Sequence, residues 1–77
     1  MWSEGIIACP STGGKYKYWV KHYEEGSPFG IDGGRISKLT LRKVGESRDV
    51  VNYDRGWDIK PTDEVKAIYA VILSKYN

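Results

Sequence analysis

The sequence predicts an α+β domain in which a four-stranded, mainly antiparallel β-meander packs against one C-terminal α-helix. Three observations predict this fold. Much of the first two-thirds of the chain alternates apolar and polar residues, as half-buried strands do, and glycine-containing turns interrupt the alternation. The C-terminal end instead repeats apolar residues at helical spacing. The length of 77 residues corresponds to a single domain, residues 1–77.

Turn residues divide the strand region into four segments. The first strand covers residues 2–8 and ends at a proline and a Ser-Thr-Gly-Gly turn. The second covers residues 15–23, and a glycine-containing loop separates it from a third strand at about residues 35–44. A Gly-Glu-Ser turn of the hairpin type then leads into a fourth strand at residues 48–53.

The second strand is predicted to have one apolar face and one basic, aromatic face, because successive side chains of a strand point to opposite sides. Its apolar face carries Tyr16, Tyr18, Val20 and His22. Its other face carries Lys15, Lys17, Trp19, Lys21 and Tyr23. We expect the apolar face to lie against the core and the basic face to meet solvent or a ligand.

The third strand alternates imperfectly. Leu39 and Leu41 share one face, whereas Ile36 falls on the opposite one. A β-bulge near Ser37 and Lys38 would bring the three apolar side chains to one face, and burial on both faces would also explain the pattern.

The C-terminal helix has a start signal and a single apolar stripe. Thr62 is the predicted N-cap, and Asp63 and Glu64 follow it in the first turn, where the helix dipole favours acids. The stripe consists of Val65, Ile68, Tyr69, Ile72, Leu73 and Tyr76. It must bury against the inner face of the sheet, which is the only sizeable partner available.

Composition limits how this domain is stabilised. Cys9 is the only cysteine and His22 the only histidine, so neither an intrachain disulfide nor a structural zinc site is expected. A chain of this size without such a staple is near the lower limit for one core, which favours a homo-oligomer. No signal-peptide pattern and no membrane-spanning stretch is visible, and a single thiol fits the cytoplasm.

No pattern typical of catalysis is visible. His22 falls on the apolar face of the second strand, Ser27 and Ser37 have no evident histidine–acid partners, and Cys9 has no basic neighbour to activate it. The glycine-rich pieces match neither phosphate-loop pattern, and the acids show no metal-ligand spacing. We therefore expect no enzyme activity, no catalytic residues, no metal and no cofactor.

The segment Tyr53-Asp54-Arg55-Gly56-Trp57-Asp58 gives the strongest indication of binding. A connection between a strand and a helix needs only turn residues, yet this one contains two large aromatics and an arginine. Planar rings and a guanidinium group hold flat or anionic groups well. The structural interpretation is that Trp57 closes the core and Arg55 pairs with a neighbouring aspartate.

Two further cations extend this candidate site. Arg35 and Lys38 lie next to Gly33-Gly34, where a backbone without side chains lets an anion approach closely. The predicted ligand-binding residues are therefore Arg35, Lys38, Tyr53, Arg55 and Trp57.

The basic face of the second strand is a second candidate surface. Lysines interleaved with flat rings are what nucleotides and single-stranded nucleic acids engage, through phosphate attraction and base stacking. A solvated strand face is the structural interpretation, although an exposed Trp19 then calls for a partner. Trp19 and Tyr23 are accordingly predicted interface residues. Nucleic acid is the less favoured partner, because the net charge is only +2.

Four segments together resemble a family of short uncharacterised proteins from Gram-positive bacteria, their phages and other mobile elements. The segments are KHYEEGS from residue 21, FGI from residue 29, GRISKL from residue 34 and YDRGWD from residue 53. The resemblance extends over nearly the whole chain and supplies no catalytic residues. It implies a small cytoplasmic protein associated with mobile elements.

Two functions of different classes follow from these patterns. The first is a non-enzymatic, oligomeric binding protein that sequesters an anionic, nucleotide-like molecule, which in a mobile element would act as a sponge for a host immune signal. The alternative is a protein–protein inhibitor or adaptor that binds a host protein through its aromatic surface. The clustering of arginines with glycines favours the first.

Overall fold

The computed structural model describes residues 1–77 and contains one antiparallel sheet with a helix against one of its faces. A short 3-10 helix, Ile31–Gly33, lies in the loop between the second and third strands. The strands and the helix are β1 (Trp2–Ala8), β2 (Lys15–His22), β3 (Ile36–Lys43), β4 (Asp49–Asp54), β5 (Trp57–Ile59) and α1 (Lys66–Tyr76).

The sheet is a meander in which every strand pairs with its neighbours in sequence, in the order β1-β2-β3-β4-β5. The α+β class and the antiparallel meander are confirmed, but the sheet has five strands rather than four. The extra strand, β5, pairs Trp57 with Tyr53 and Ile59 with Asn52. Three residues are too short a segment to show an alternating pattern, so this strand was not visible in the sequence.

A tight turn makes β5 possible. Arg55 has the left-handed conformation, with φ 58°, and the N–H of Asp54 donates to the carbonyl of Gly56 at 2.9 Å. The left-handed region is uncommon for a residue with a Cβ. The segment predicted to be a connection is therefore a hairpin that adds an edge strand to the sheet.

Of the two explanations for the imperfect alternation of the third strand, a β-bulge or burial on both faces, the structure shows the β-bulge near Ser37 and Lys38. Lys38 pairs with Lys21 but Ile36 pairs with His22, so Ser37 has no opposite residue. This extra residue returns Ile36 to the face that carries Leu39, and both side chains are at most 1% exposed.

The helix begins later than the sequence predicts. It starts at Lys66 after an N-cap at Val65 that makes no side-chain cap bond. Thr62 was predicted as the N-cap, and this prediction is wrong. Its carbonyl instead accepts from the N–H of Val65 at 3.1 Å, which closes a separate turn before the helix.

The predicted apolar stripe of the helix is confirmed. Val65, Ile68 and Ile72 are at most 2% exposed, and the three other members pack partly buried against the same cluster. That cluster of 13 buried apolar residues includes the inner-facing tyrosines of β2 and residues of β3 and β4. None of the helical segments combines the length and the apolar character that a membrane-crossing helix needs.

Candidate ligand-binding face

Because the helix covers one face of the sheet, the side chains of the opposite face meet solvent. The strand register places these residues in rows that run across the sheet. We call this surface the outer face, and its main members are Trp2, Glu4, Ile6, Lys17, Trp19, Lys21, Lys38, Thr40, Arg42, Asn52 and Asp54.

Trp19 lies at the middle of the outer face. In the sheet it is opposite Glu4 on β1 and Thr40 on β3. The Lys17 ammonium lies 5.1 Å from the centroid of the Trp19 ring, and the Arg42 guanidinium lies 5.3 Å from it. Both distances are within the range of cation–π attraction. The cations hold the ring in place and leave it half-buried.

A second group of cations and rings lies at the end of the outer face next to the Ser37 bulge. The Lys21 ammonium is 5.9 Å from the Trp2 ring and 5.8 Å from the Tyr23 ring. A hydrogen bond with Lys21 is the main cause that lowers the pKa of the Tyr23 phenol. Lys38 lies directly opposite Lys21 on β3. We call Trp2, Lys21, Tyr23, Arg35 and Lys38 the basic corner.

Cations oppose cations across the strands of the outer face. The pairs are Lys21 with Lys38 and Lys17 with Arg42. Like charges directly opposite each other destabilise a sheet. Asp49 relieves the second pair, since its Oδ1 accepts from Nε and Nη2 of Arg42 at 2.9 and 2.7 Å.

The basic corner is less well neutralised. Its only ion pair joins Lys38 to Asp54, with 3.6 Å between Nζ and Oδ1, and both side chains are more than one-third exposed. Such a pair contributes little. Lys21 and Arg35 make no ion pair. An anion bound here would relieve repulsion that the fold itself leaves in place.

Arg35 lines a concavity next to the basic corner. This concavity has a volume of about 360 Å³ and is lined by Met1, His22, Tyr23, Glu24 and Arg35. The N–H of Tyr23 donates to the Arg35 carbonyl at 3.1 Å, which fixes the two residues side by side. The Nε of Arg35 donates to the Asn77 carbonyl at 3.4 Å.

Arg55 lies close to the same bulge. Its N–H donates to the Ser37 carbonyl at 2.9 Å, and its guanidinium lies 4.8 Å from the Phe29 ring. It makes no ion pair with Asp54 or Asp58. The backbone thus brings the three predicted cations, Arg35, Lys38 and Arg55, to one end of the sheet.

The two predicted aromatic ligand contacts lie on the other face. Tyr53 is 6% exposed, and its hydroxyl donates to the Phe29 carbonyl at 2.7 Å. The Trp57 ring is half-buried between the rings of Tyr53 and Tyr69, with centroids 4.9 and 5.7 Å away. Edge-to-face contacts of this kind stabilise a core. The structure therefore places Tyr53 and Trp57 on the face opposite Lys38, and only Arg55 comes near them, since Phe29 contacts both the Tyr53 hydroxyl and the Arg55 guanidinium.

Trp2 is the residue of the basic corner that sequence reasoning did not select. Alternation alone places it on one face of β1, but its contact with Lys21 depends on the register between β1 and β2. The register is set by the Cys9–Gly14 turn, whose two ends bond at 2.7 Å. Lys21 was assigned to the correct face, whereas its position opposite Lys38 depends on the register between β2 and β3.

The two residues most often used in catalysis have structural contacts here. Nε2 of His22 lies 2.9 Å from the Ser3 hydroxyl, and burial followed by nearby positive charge lowers the pKa of its imidazole. Hydrogen bonds with Ser11 and Thr12 lower the pKa of Cys9 to about 7. Solvent nevertheless reaches only 1% of Cys9, which keeps reagents away from it. No group of three potential metal ligands lies together.

Comparison with known proteins gives one family. No curated protein and no solved structure matches this chain. A family model described as a domain of unknown function, DUF7678, matches residues 1–77. The chain therefore belongs to the DUF7678 family.

Proposed function

We propose that this protein binds an anionic, nucleotide-like small molecule at the basic corner and sequesters it without chemical change. The observation that carries the proposal is Lys21, which lies between the Trp2 and Tyr23 rings, faces Lys38 across the strands and has no acidic partner. A fold that keeps two cations opposed beside exposed rings is arranged to receive negative charge.

The corner offers the two kinds of contact that a nucleotide uses. Phosphate oxygens would accept from Lys21 and Lys38, and a second anionic group would reach the guanidinium of Arg35 beside Asn77, which suits a planar, two-point contact. A base would stack on Trp2, which is 58% exposed, or on Tyr23, which is 47% exposed. The adjoining concavity of about 360 Å³, which Tyr23 and Arg35 line together with Met1, His22 and Glu24, is within the usual size range of small-ligand sites.

A small ligand fits this surface better than a nucleic-acid strand. The net charge of the chain is only +2, and acidic side chains such as Asp54 interrupt the cations along the outer face. A polymer needs several phosphate contacts along a continuous basic track. In a phage or mobile element, a small protein of this kind would remove a nucleotide signal of host defence.

Nucleotide binding can be tested with a panel of mononucleotides, dinucleotides and cyclic dinucleotides, with uncharged nucleosides and a single-stranded oligonucleotide as comparisons. We expect a thermal shift for phosphorylated ligands, followed by a measurable affinity in calorimetry. Removing one charge-assisted contact is expected to cost about 1.5–3 kcal/mol, or about ten- to a hundred-fold in affinity.

Matched variants localise the site. Lys21→Ala should weaken binding strongly, whereas Lys17→Ala, on the same strand and face, should weaken it only through the loss of general positive charge. Lys66→Ala, on the exposed side of the helix, should leave affinity unchanged. The absence of a thermal shift with every phosphorylated ligand would contradict the proposal. Equal losses of affinity in all three variants would exclude the basic corner as the binding site.

A second function is supported by the aromatic residues of the outer face. Trp19, Trp2 and Tyr23 form a surface on which a host protein could dock, as an inhibitor or adaptor requires. Trp19→Ala should then abolish co-purification of a defined host protein and leave nucleotide binding nearly intact. If Trp19→Ala abolished nucleotide binding and Lys21→Ala did not, the binding site would be assigned to the middle of the outer face instead of the basic corner.

A further inference from the structure

The first strand leaves one edge of the sheet open. β1 pairs only with β2, and backbone bonds join Met1 to His22 at one end of this pairing and Cys9 to Gly14 at the other. Because bonded residues alternate along an antiparallel pair, the odd-numbered residues of β1 direct their N–H and C=O groups at β2. Free backbone groups at the edge therefore belong to Trp2, Glu4, Ile6 and Ala8.

β1 has little of what usually protects an open edge, and its only charged side chain is Glu4. Proteins usually blunt an open edge with proline, lysine, a bulge or a very short strand. β1 has seven residues, contains neither proline nor lysine, and pairs with β2 without a register shift. The opposite edge is formed by β5, which has three residues. β1 is thus the edge to which another strand can add.

Apolar side chains flank the open edge on both faces of the sheet. On the outer face Trp2 is 58% and Ile6 63% exposed. On the inner side a groove of about 140 Å³ lies between β1 and the helix, lined mainly by apolar residues that include Ile7 and Val71. Val71 is 48% exposed. Covering these side chains would add apolar burial to strand pairing.

We propose that β1 pairs antiparallel with β1 of a second copy of this chain, about a two-fold axis at Gly5. In this register Glu4 lies opposite Ile6 of the second copy, and Trp2 lies opposite Ala8. Each of the four pairs then makes two backbone hydrogen bonds, so that every free group of the edge finds a partner. Two-fold dimers are the commonest assembly and need a self-complementary surface of this kind.

The side chains fit the same register. Trp2 is the largest residue of β1 and would lie over Ala8, one of its smallest. Gly5 adds no side chain at the axis, where a Cβ would meet the Tyr18 hydroxyl at 2.7 Å. Glu4 would lie two strand spacings, about 10 Å, from Lys17 of the second copy, since Lys17 is opposite Ile6. Their extended side chains have opposite charges and can approach across Ile6.

Pairing through the outer faces is less favourable. That arrangement would bring the opposed cations Lys21 and Lys38 of one copy against those of another, in a region already short of negative charge. Edge pairing instead leaves Lys21, Tyr23, Arg35 and Lys38 of both copies uncovered on one continuous outer surface, and only Trp2 of each basic corner lies at the new contact. The pairing of the two β1 strands requires no ligand at the basic corner.

Oligomeric state in solution tests the edge directly. Light scattering and sedimentation should report a dimer of the parent protein at tens of micromolar concentration. Ile6→Lys and Ile6→Pro should both give a folded monomer, because Ile6 directs its N–H away from β2 and an edge position tolerates proline. Ile59→Lys makes the same change on the outer face of the opposite edge strand and should leave the dimer intact.

The register is tested by mixing two single variants, Glu4→Cys and Ile6→Cys, under a mild added oxidant such as oxidised glutathione. Opposite residues have Cα atoms about 5.5 Å apart, which permits a disulfide. We expect a cross-linked species in the mixture, with the linkage between positions 4 and 6 confirmed by peptide mass spectrometry. A monomeric parent, a dimer that survives both Ile6 variants, or cross-links only within each variant alone would overturn the proposal.

Discussion

The hydroxyl oxygens of Tyr18 and Tyr76 lie 2.9 Å apart and join β2 to the last turn of the helix. The two rings have centroids 5.9 Å apart. This hydrogen bond, followed by burial, raises the pKa of Tyr18 to about 12. The neutral phenol is therefore part of the contact between the helix and the sheet.

Stability should decline at alkaline pH because of this contact. In the unfolded chain Tyr18 titrates near 10.0, so its stabilising effect is complete below that pH and is lost as the pH rises towards about 12. Burial also raises the pKa of Tyr16 and of Tyr69, so ionisation of these two phenols should likewise lower the free energy of unfolding at alkaline pH. Urea unfolding between pH 8 and 11.5 should show this decline, and Tyr18→Phe should make it shallower. An unchanged slope in Tyr18→Phe would contradict this role.

Truncation of the buried helix face should be costly. Ile72 is 1% exposed, and Ile72→Ala removes a branched side chain from the core. We expect a loss of about 2–5 kcal/mol in the free energy of unfolding, which in a domain of this size is enough to abolish folding. Lys66→Ala is the matched control, since it removes only an exposed ion pair with Asp63. Similar melting of both variants would mean that the buried face is misassigned.

The arginines near the bulge should affect binding more than stability. Arg35→Lys and Arg55→Lys keep the charge but lose the planar guanidinium, so two-point contacts to a phosphate should weaken. Because both side chains are exposed, we expect each change to alter the free energy of unfolding by no more than about 1 kcal/mol. Thermal shifts with nucleotides should fall in both variants. If the thermal shifts with nucleotides were as large as those of the parent protein, these two arginines would not be part of the binding site.

The loop beside the basic corner depends on one close backbone approach. A Cβ at Gly30 would collide with the carbonyl oxygen of Gly34. Gly30→Ala should therefore destabilise the domain by about 1–3 kcal/mol, because backbone cannot yield as a flexible side chain does. Gly56→Ala is the control, since nothing lies within 4 Å of its Cβ position. Its free energy of unfolding should stay within about 1 kcal/mol of the parent. Equal effects would show that the loop can shift.

Much of the fold could be predicted because local patterns and tertiary packing agree. The alternation in β2 and the stripe through Ile68 and Ile72 each indicate one buried face, and these faces meet in the core. The break in alternation near Ser37 indicated either a bulge or burial on both faces, and the strand register decides for the bulge. Thr62 was wrongly predicted as the N-cap because an N-cap signal is read from local sequence alone. In the structure the residues before the helix form a separate turn, which the Thr62 carbonyl closes.

The candidate site was less predictable because it depends on register. Arg35, Lys38 and Arg55 converge on the bulge through backbone contacts that no linear motif records. Tyr53 and Trp57 were selected for their chemistry, but their positions on β4 and β5 turn the rings inward. Lys21 and Trp2 become neighbours only once β1 and β2 are aligned.

The meander order also constrains how the chain reaches its native state. Each strand pairing joins neighbours in sequence, so the sheet can assemble through short loop closures, which are the fastest kind. The 11-residue helix has no side-chain cap and is too short to persist alone, so it forms as it docks. Until then Val20, Leu41 and the rest of the inner face remain uncovered. A nascent chain whose sheet has emerged while the helix is still inside the ribosome is therefore the species most prone to aggregate.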